Sequence, residues 1–231
     1  MATSGTFTFS PNLGEYVINA FARCGVRRTE LTAQHMEDAR FEANLMMSDW
    51  AADGINLWQV QKTTINLIQG QSAYDVPLDV VFMLDVYISQ DGFDRLIFPI
   101  SRTDYASFAQ KTLQGYPTSF WFDRLAGTNA PYKPQIYVWP VPDQTGQYTL
   151  TYYYMQQAMD NELSGATQPQ IPWYMCDAFG WGLASRLAFI YSPEKVPALE
   201  ARAARAWQRS MQVGTENVPI TMAIQMRGYF R

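Results

Sequence analysis

The side chains that most often carry chemistry are few and scattered in this chain. His35 is the only histidine, and Cys24 and Cys176 are the only cysteines. One imidazole cannot build a histidine-rich metal site, and two distant cysteines lack the CxxC spacing of a zinc or redox pair. His35 falls in the first turn of a helical segment, where a solvent-facing or N-terminal helical role accounts for it. Gly182 is followed by Leu-Ala-Ser, where a phosphate-binding loop needs Gly-Lys-Ser/Thr. Gly180-Trp181-Gly182 carries two glycines of a dinucleotide fingerprint, but inside a helix rather than after a strand. Close approach of another backbone is the expectation there.

Carboxylates need separate treatment, because glycosidic or phosphodiester cleavage can run on two or three of them. Those near strand-like segments are Asp75, Asp79, Asp85, Asp91, Asp94, Asp104 and Asp123. Most flank turns, where Asp is favoured because it bonds the local backbone. Asp85, between Leu84 and Val86 on a strand, is the least ordinary, and a structural hydrogen bond is expected of it. No catalytic, cofactor-binding or metal-binding residue is assigned, no cofactor is expected, and the chain is read as a non-enzyme.

Two features point to binding. Arg202, Arg205 and Arg209 recur at spacings of three and four along the last helix, so they form one basic stripe. It suits a salt bridge to a neighbouring subunit or a contact with passing DNA; a solvated face offset by Glu194 and Glu200 is the plainer alternative. The C-terminal segment carries Val218, Ile220, Met222, Ile224, Met226, Arg227, Tyr229, Phe230 and Arg231, with no acid after Glu216. Its alternation suits an extended arm added to another chain, against the alternative that it folds back on its own subunit.

The elements that would position these residues divide into three stretches. After a short polar arm, Ser10-Pro11 is expected to open a helix that buries Leu13, Val17, Phe21 and Cys24 and stops at Gly25. Thr32 caps a second helix with Met36, Ala39, Ala43, Met46 and Trp50 on one face, closed by Gly54. The period then changes. Strand-like runs cover 57–68, 82–89, 118–124, 135–139 and 147–155, punctuated by Gln69-Gly70, Val76-Pro77 and Asp91-Gly92. Tyr148, Leu150, Tyr152 and Tyr154 share one strand face, and Ser101 with Asp104 resembles a capping box for a short helix to about Lys111. Pro172 starts a third long helix burying Trp173, Cys176, Phe179, Leu183, Leu187 and Ile190. Ser192-Pro193-Glu194 starts a fourth that ends near Gly214.

Composition bounds the partners. The chain has 231 residues, 48% hydrophobic and 15% aromatic, with only 16% charged. Charged residues usually make up roughly a quarter of a globular protein, and interface cores are rich in aromatics and poor in Lys and Glu. Burial against sibling copies explains this, as does an unusually aromatic core. A net charge of −4 argues against binding that depends on neutralising many phosphates. Neither a secretory leader nor a membrane span is read, a disulfide framework is not expected, and a reducing cytoplasm suits assembly.

A series of short motifs resembles head-to-tail adaptor (connector) proteins of short-tailed bacteriophages. It runs through Trp50-Ala51-Ala52-Asp53-Gly54 with Leu57-Trp58, then Gly70-Gln71-Ser72-Ala73-Tyr74 before Val76-Pro77. Ile100-Ser101-Arg102 with Asp104-Tyr105 and Gly115-Tyr116-Pro117-Thr118 before Phe120-Trp121 continue it. Val138-Trp139-Pro140-Val141-Pro142-Asp143 and Gly182-Leu183-Ala184-Ser185-Arg186-Leu187-Ala188 complete it. Each motif is weak alone; their order and spacing carry the resemblance, from the second helix to the last.

The reading is therefore an α+β fold, a helical bundle of N- and C-terminal helices with an inserted antiparallel β domain and an extended C-terminal arm. Residues 1–54 would form the arm and first part of the helical domain, 55–156 the β domain, 157–216 the second helical part and 217–231 the docking arm. The resemblance implies a structural protein of the virion neck. It would form a ring, twelve-fold in the family, that joins the portal to the tail nozzle and extends the channel for double-stranded DNA, with the arm on the portal and no membrane partner. The rival readings are a carbohydrate-binding β module using Trp121, Trp139 and the Tyr-rich strand, and a hydrolase built on acidic residues.

Overall fold

Asn12, rather than Ser10, starts the first helix. In the computed structural model, which describes residues 5, 9–52, 57–124, 133–162 and 164–214, α1 spans Leu13–Cys24. The Asn12 side chain accepts from the Glu15 N–H at 2.9 Å, and the Glu15 carboxylate accepts the Asn12 N–H at 3.0 Å. This reciprocal pair satisfies two orphan donors at once, whereas the Ser10 hydroxyl donates to Gln168. Gly25 ends the helix with φ 91°, the left-handed cap a glycine adopts freely.

Helix α2 spans Ala33–Ala52. Thr32 precedes it, and its backbone N–H is accepted by His35 Nδ1 at 3.2 Å, so the lone histidine does the work of a third-position acid in a capping box. The expected stop at Gly54 lies outside the described residues. After the strands come α4, Cys176–Tyr191, and α5, Val196–Gly214; the short α3, Arg102–Ser107, sits among the strands. One buried apolar cluster draws on all four long helices: Leu13, Val17 and Phe21, Ala39 and Met46, Phe179, Leu183 and Leu187, and Leu199. Fully burying such a side chain stabilises by about 1.5–3 kcal/mol, against about 0.2–1 kcal/mol for an exposed ion pair. Apolar packing therefore holds these helices together.

Three helix expectations need correction. Trp173 is 75% exposed, because Trp173–Met175 is a tighter 3-10 turn whose three-residue period breaks the phase of α4; Met175 is buried instead. Ile190 is also exposed, and Tyr191 takes the inward place, stacked on His35 and edge-on to Phe21. Ser192 does not cap α5. Its hydroxyl donates to the Cys24 carbonyl at 2.7 Å, as Lys195 Nζ does at 2.8 Å, so it ties the α4–α5 corner to the end of α1.

Among the described residues, eight strands form two four-stranded sheets. The first has the order β1-β8-β3-β4, and the second β2-β7-β6-β5. Their spans are β1 Val60–Asn66, β2 Ala73–Asp75, β3 Val80–Gln90, β4 Phe93–Leu96, β5 Phe98–Pro99, β6 Ser119–Asp123, β7 Gln135–Trp139 and β8 Thr149–Gln156. Val86, Ile88, Leu150 and Tyr152 from the first sheet meet Tyr74, Phe120, Ile136 and Val138 from the second in one buried cluster, as the strand alternation predicts. Asp91 and Gly92 turn β3 into β4 with φ 50° and 81°, the left-handed pair a two-residue hairpin requires.

The sheets are not wholly antiparallel. β5 pairs with β6 in parallel at Phe98↔Ser119 and Pro99↔Phe120. The chain passes from the first sheet to the second at the buried Ile97, then returns through α3 to run β6 in the same direction, and parallel neighbours need such a crossover. Pro99 tolerates this edge because its missing N–H faces no partner strand. β8 also departs from simple alternation, since Thr151 and Met155 are buried on its other face. Among the described residues, no helix is long and apolar enough to cross a membrane.

Candidate functional site

The possible acid–base groups are dispersed into structural roles. Asp75 accepts from Gln135 at 2.7 Å and pairs loosely with Lys133 at 3.7 Å. Asp79 accepts from Gln156, Asp94 from Ser89, and Asp143 from the Tyr148 hydroxyl at 2.7 Å. Asp104 caps α3, and its bonds from Ser101 hold its carboxyl below the ordinary range. Asp85, expected to make a structural hydrogen bond, stands exposed at an irregularity in β3 between Met83 and Val86. There the extra residue re-aims the strand.

Among the described residues, no three His, Cys, Asp or Glu side chains gather where they could hold a metal ion. Cys24 is buried, its thiol donates to the Ala184 carbonyl, and burial pushes its pKa up. Among the described residues, a cleft of about 280 Å³ between α2 and the end of β8 is lined by Met47, Phe82, Met159 and one carboxylate, Asp160.

The aromatic residues that suggested sugar stacking contact other rings of their own chain or lie in the core. Trp139 stacks on Phe108 at 4.1 Å and its indole N–H donates to the Gln110 carbonyl. Trp121, Tyr137 and Tyr105 form a mutual ring cluster, with centroids 4.9, 5.4 and 5.5 Å apart. α3 and its C-cap lay Tyr105 and Phe108 over the outer face of the second sheet, which leaves Trp121 and Trp139 half-buried. Tyr148, Tyr152 and Tyr154 face the sandwich core and are buried. The Tyr-rich strand is therefore a core strand, and its Tyr148, Tyr152 and Tyr154 present no stacking face to a sugar.

The surface of the helices is where charge and apolar groups stand uncovered. Arg202, Arg205 and Arg209 are all exposed along one side of α5. Arg202 lies 5.9 Å from the Trp181 ring centroid, and Arg23 approaches the same indole to 3.8 Å. The cationic band thus extends from α5 across Trp181 to α1. Large apolar groups are also exposed on the helices: Phe41 and Leu45 one turn apart on α2, and Phe189 with Ile190 at the end of α4. Gly180 and Gly182 do mark close packing, but against side chains rather than a backbone. A Cβ on Gly180 would meet Arg23 Nη1 at 3.0 Å, and one on Gly182 would meet Met46 Sδ at 2.5 Å.

Several surface features were not read from the sequence. Arg186 reaches Asp49 at 2.7 Å and Glu42 at 3.7 Å, joining α4 to α2. Lys62 lies over the rings of Tyr87 and Tyr153 on the outer face of the first sheet. Phe93, Leu96 and Phe98 are exposed along β4 and β5, and the alternation that follows Asp91-Gly92 was the available signal. The C-terminal candidates Ile220, Met222, Ile224, Met226, Arg227, Tyr229, Phe230 and Arg231 lie outside the described residues.

The family model described as SU10 adaptor protein matches residues 26–221, most of the chain. No curated protein matches it.

Proposed function

The chain belongs to the SU10 adaptor protein family, and as a phage adaptor it serves, we propose, as a ring subunit of the virion neck. Copies of it close around the channel for double-stranded DNA, one side of the ring seating on the portal and the other receiving the tail nozzle of a short-tailed particle. The ring is twelve-fold in this reading. The family match over 26–221 carries the proposal; the exposed arginine band and the exposed apolar groups of α2, α4 and β4–β5 support it, because an adaptor must bind on several sides.

In this reading 1–54 and 157–216 make one helical bundle, 55–156 is a β domain inserted into it, and 217–231 is the portal-docking arm. Two separate buried clusters, one from the long helices and one from the strands, support that division. Arg202, Arg205 and Arg209 face a neighbouring subunit or the DNA, where a row of guanidinium groups contacts phosphates without reading sequence.

The arm is tested by ending the chain after Glu216 and complementing a phage that lacks the full-length protein. DNA-filled heads without tails are the expected product. Normal tail attachment by the shortened chain would remove the arm from the mechanism and leave the ring to be carried by other surfaces.

A further inference from the structure

The two open edges of the first sheet fit each other. β1 and β4 are its outermost strands, and each neighbouring pair, β1–β8, β8–β3 and β3–β4, is antiparallel. β4 therefore runs opposite to β1. A copy of the chain placed head to tail beside the first presents its β1 antiparallel to the first copy's β4, which continues the sheet without a break in sense.

The backbone groups agree as well. Ile97 N–H donates to the Val86 carbonyl, and the register Tyr87↔Leu96 makes Val86 and Ile97 a bonded pair. Alternation then turns the N–H and C=O groups of Asp94 and Leu96 outward from the sheet. On the other edge Leu67 N–H donates to the Tyr148 carbonyl, with Asn66↔Thr149 and Lys62↔Tyr153 in register. The same alternation turns the backbone groups of Val60, Lys62 and Thr64 outward. All four residues of β4 are exposed. Asp94 and Arg95 give the strand the charges that limit indiscriminate edge pairing, while Phe93, Leu96 and Phe98 leave 80%, 53% and 65% of their surfaces open beside it.

Side chains choose the register. Setting Asp94 opposite Lys62 of the next copy places Leu96 opposite Val60, and both pairs fall on the outer face. An opposite-charge pair and an apolar pair then meet directly, the combinations that stabilise neighbouring strands. Sliding by two residues sets Asp94 against Thr64 and Leu96 against Lys62, which loses both matches.

We infer that the β4 edge of one copy takes the β1 edge of the next, with Asp94 opposite Lys62 and Leu96 opposite Val60, as the subunit contact between β regions. This rests on the ring reading above and names the surfaces that would close it. It is β-strand addition between identical chains, a heterologous contact that closes into a ring when the rotation per copy allows.

The test uses full-length protein in assembled particles. In the inferred register Gln61 lies opposite Arg95 of the neighbour as a non-bonded pair, the spacing of about 4.5 Å between Cα atoms at which cysteines can join. Particles carrying both Gln61→Cys and Arg95→Cys should yield, on oxidation, a ladder of covalent multimers that neither single variant gives. Lys62→Glu or Asp94→Lys alone should lower incorporation about tenfold or more through like charges set opposite each other, and the two together should restore it. Rings that assemble normally in the cysteine variant with no ladder would overturn the edge contact while leaving the ring reading intact. Particles whose unmodified protein forms no ring would overturn both.

Discussion

The guanidinium of Arg186 on α4 lies 2.7 Å from the Asp49 carboxylate on α2. The same group reaches Glu42, about two helical turns back along α2, at 3.7 Å, so one side chain spans two acids that face α4. Arg186→Ala should lower stability by about 1 kcal/mol, the upper range for a partly exposed pair, and so lower the thermal midpoint by about 2–4 °C. Arg186→Lys should recover only part of this, since an ammonium lacks the planar fork. Thermal unfolding of the three proteins at low and high salt checks it, and a loss that salt does not diminish would point to packing instead of charge.

The two glycines of α4 should respond differently to alanine. Ala gains about 1 kcal/mol over Gly in a helix interior. At Gly180 the new Cβ meets the terminal nitrogen of Arg23, which can yield, so Gly180→Ala should be neutral or stabilising. At Gly182 it meets Met46 Sδ at 2.5 Å, and Met46 is buried. Overpacking of that kind costs about 1–3 kcal/mol, so Gly182→Ala should be the less stable variant in urea unfolding. The opposite ranking would mean that Met46 has room to move.

Tyr148 and Tyr191 give a pH signature. Burial, with a neighbouring carboxylate (Asp143 for one, Asp38 for the other), pushes each phenol up to about 12. The folded pKa lies above the unfolded value of about 10, so folding favours the protonated form. The stability this contributes is fully present below pH about 10 and is lost as pH rises through about 12. Phenolate absorbance on alkaline titration should show a late-ionising group of tyrosines that shrinks in Tyr191→Phe. A single titration step near the ordinary tyrosine value would contradict the burial.

The arginine band should matter to assembly and not to folding. Arg202, Arg205 and Arg209 are exposed, so replacing all three by Ala should change stability by about 0.5 kcal/mol or less per site. Incorporation into particles or retention of packaged DNA should fall about tenfold or more, because buried or desolvated contacts to a partner weigh far more than surface charge. Thermal unfolding paired with a particle-yield assay separates the two effects. Unchanged yield would return the band to the role of a solvated face.

Periodicity made the long helices and the central strands legible. Val17, Phe21, Ala39, Met46, Leu183 and Leu187 fall on the expected inner faces because a 3.6-residue repeat has one solution over several turns. Short elements escaped for the opposite reason. β2 and β5 are three and two residues long, too brief for any repeat to register, and the parallel β5–β6 pair depends on a crossover that only tertiary contacts define. The helix start lies two residues beyond Ser10, because Asn12-Leu13-Gly14-Glu15 holds its own reciprocal cap between Asn12 and Glu15. The arginine stripe was visible because three like charges at helical spacing need no partner to be seen. The edge residues Asp94 and Lys62 gain meaning only when the strand order is known, and exposed apolar groups such as Phe41 and Phe189 look like core residues in one dimension.

Cryo-electron microscopy of tailed particles, with this chain located by a tag at an exposed loop, measures the central assignment directly. The expected density is a closed ring of copies of the chain, one copy per symmetry unit, between the portal and the tail nozzle and around the DNA. Particles in which heads and tails join without this protein at the neck would contradict it.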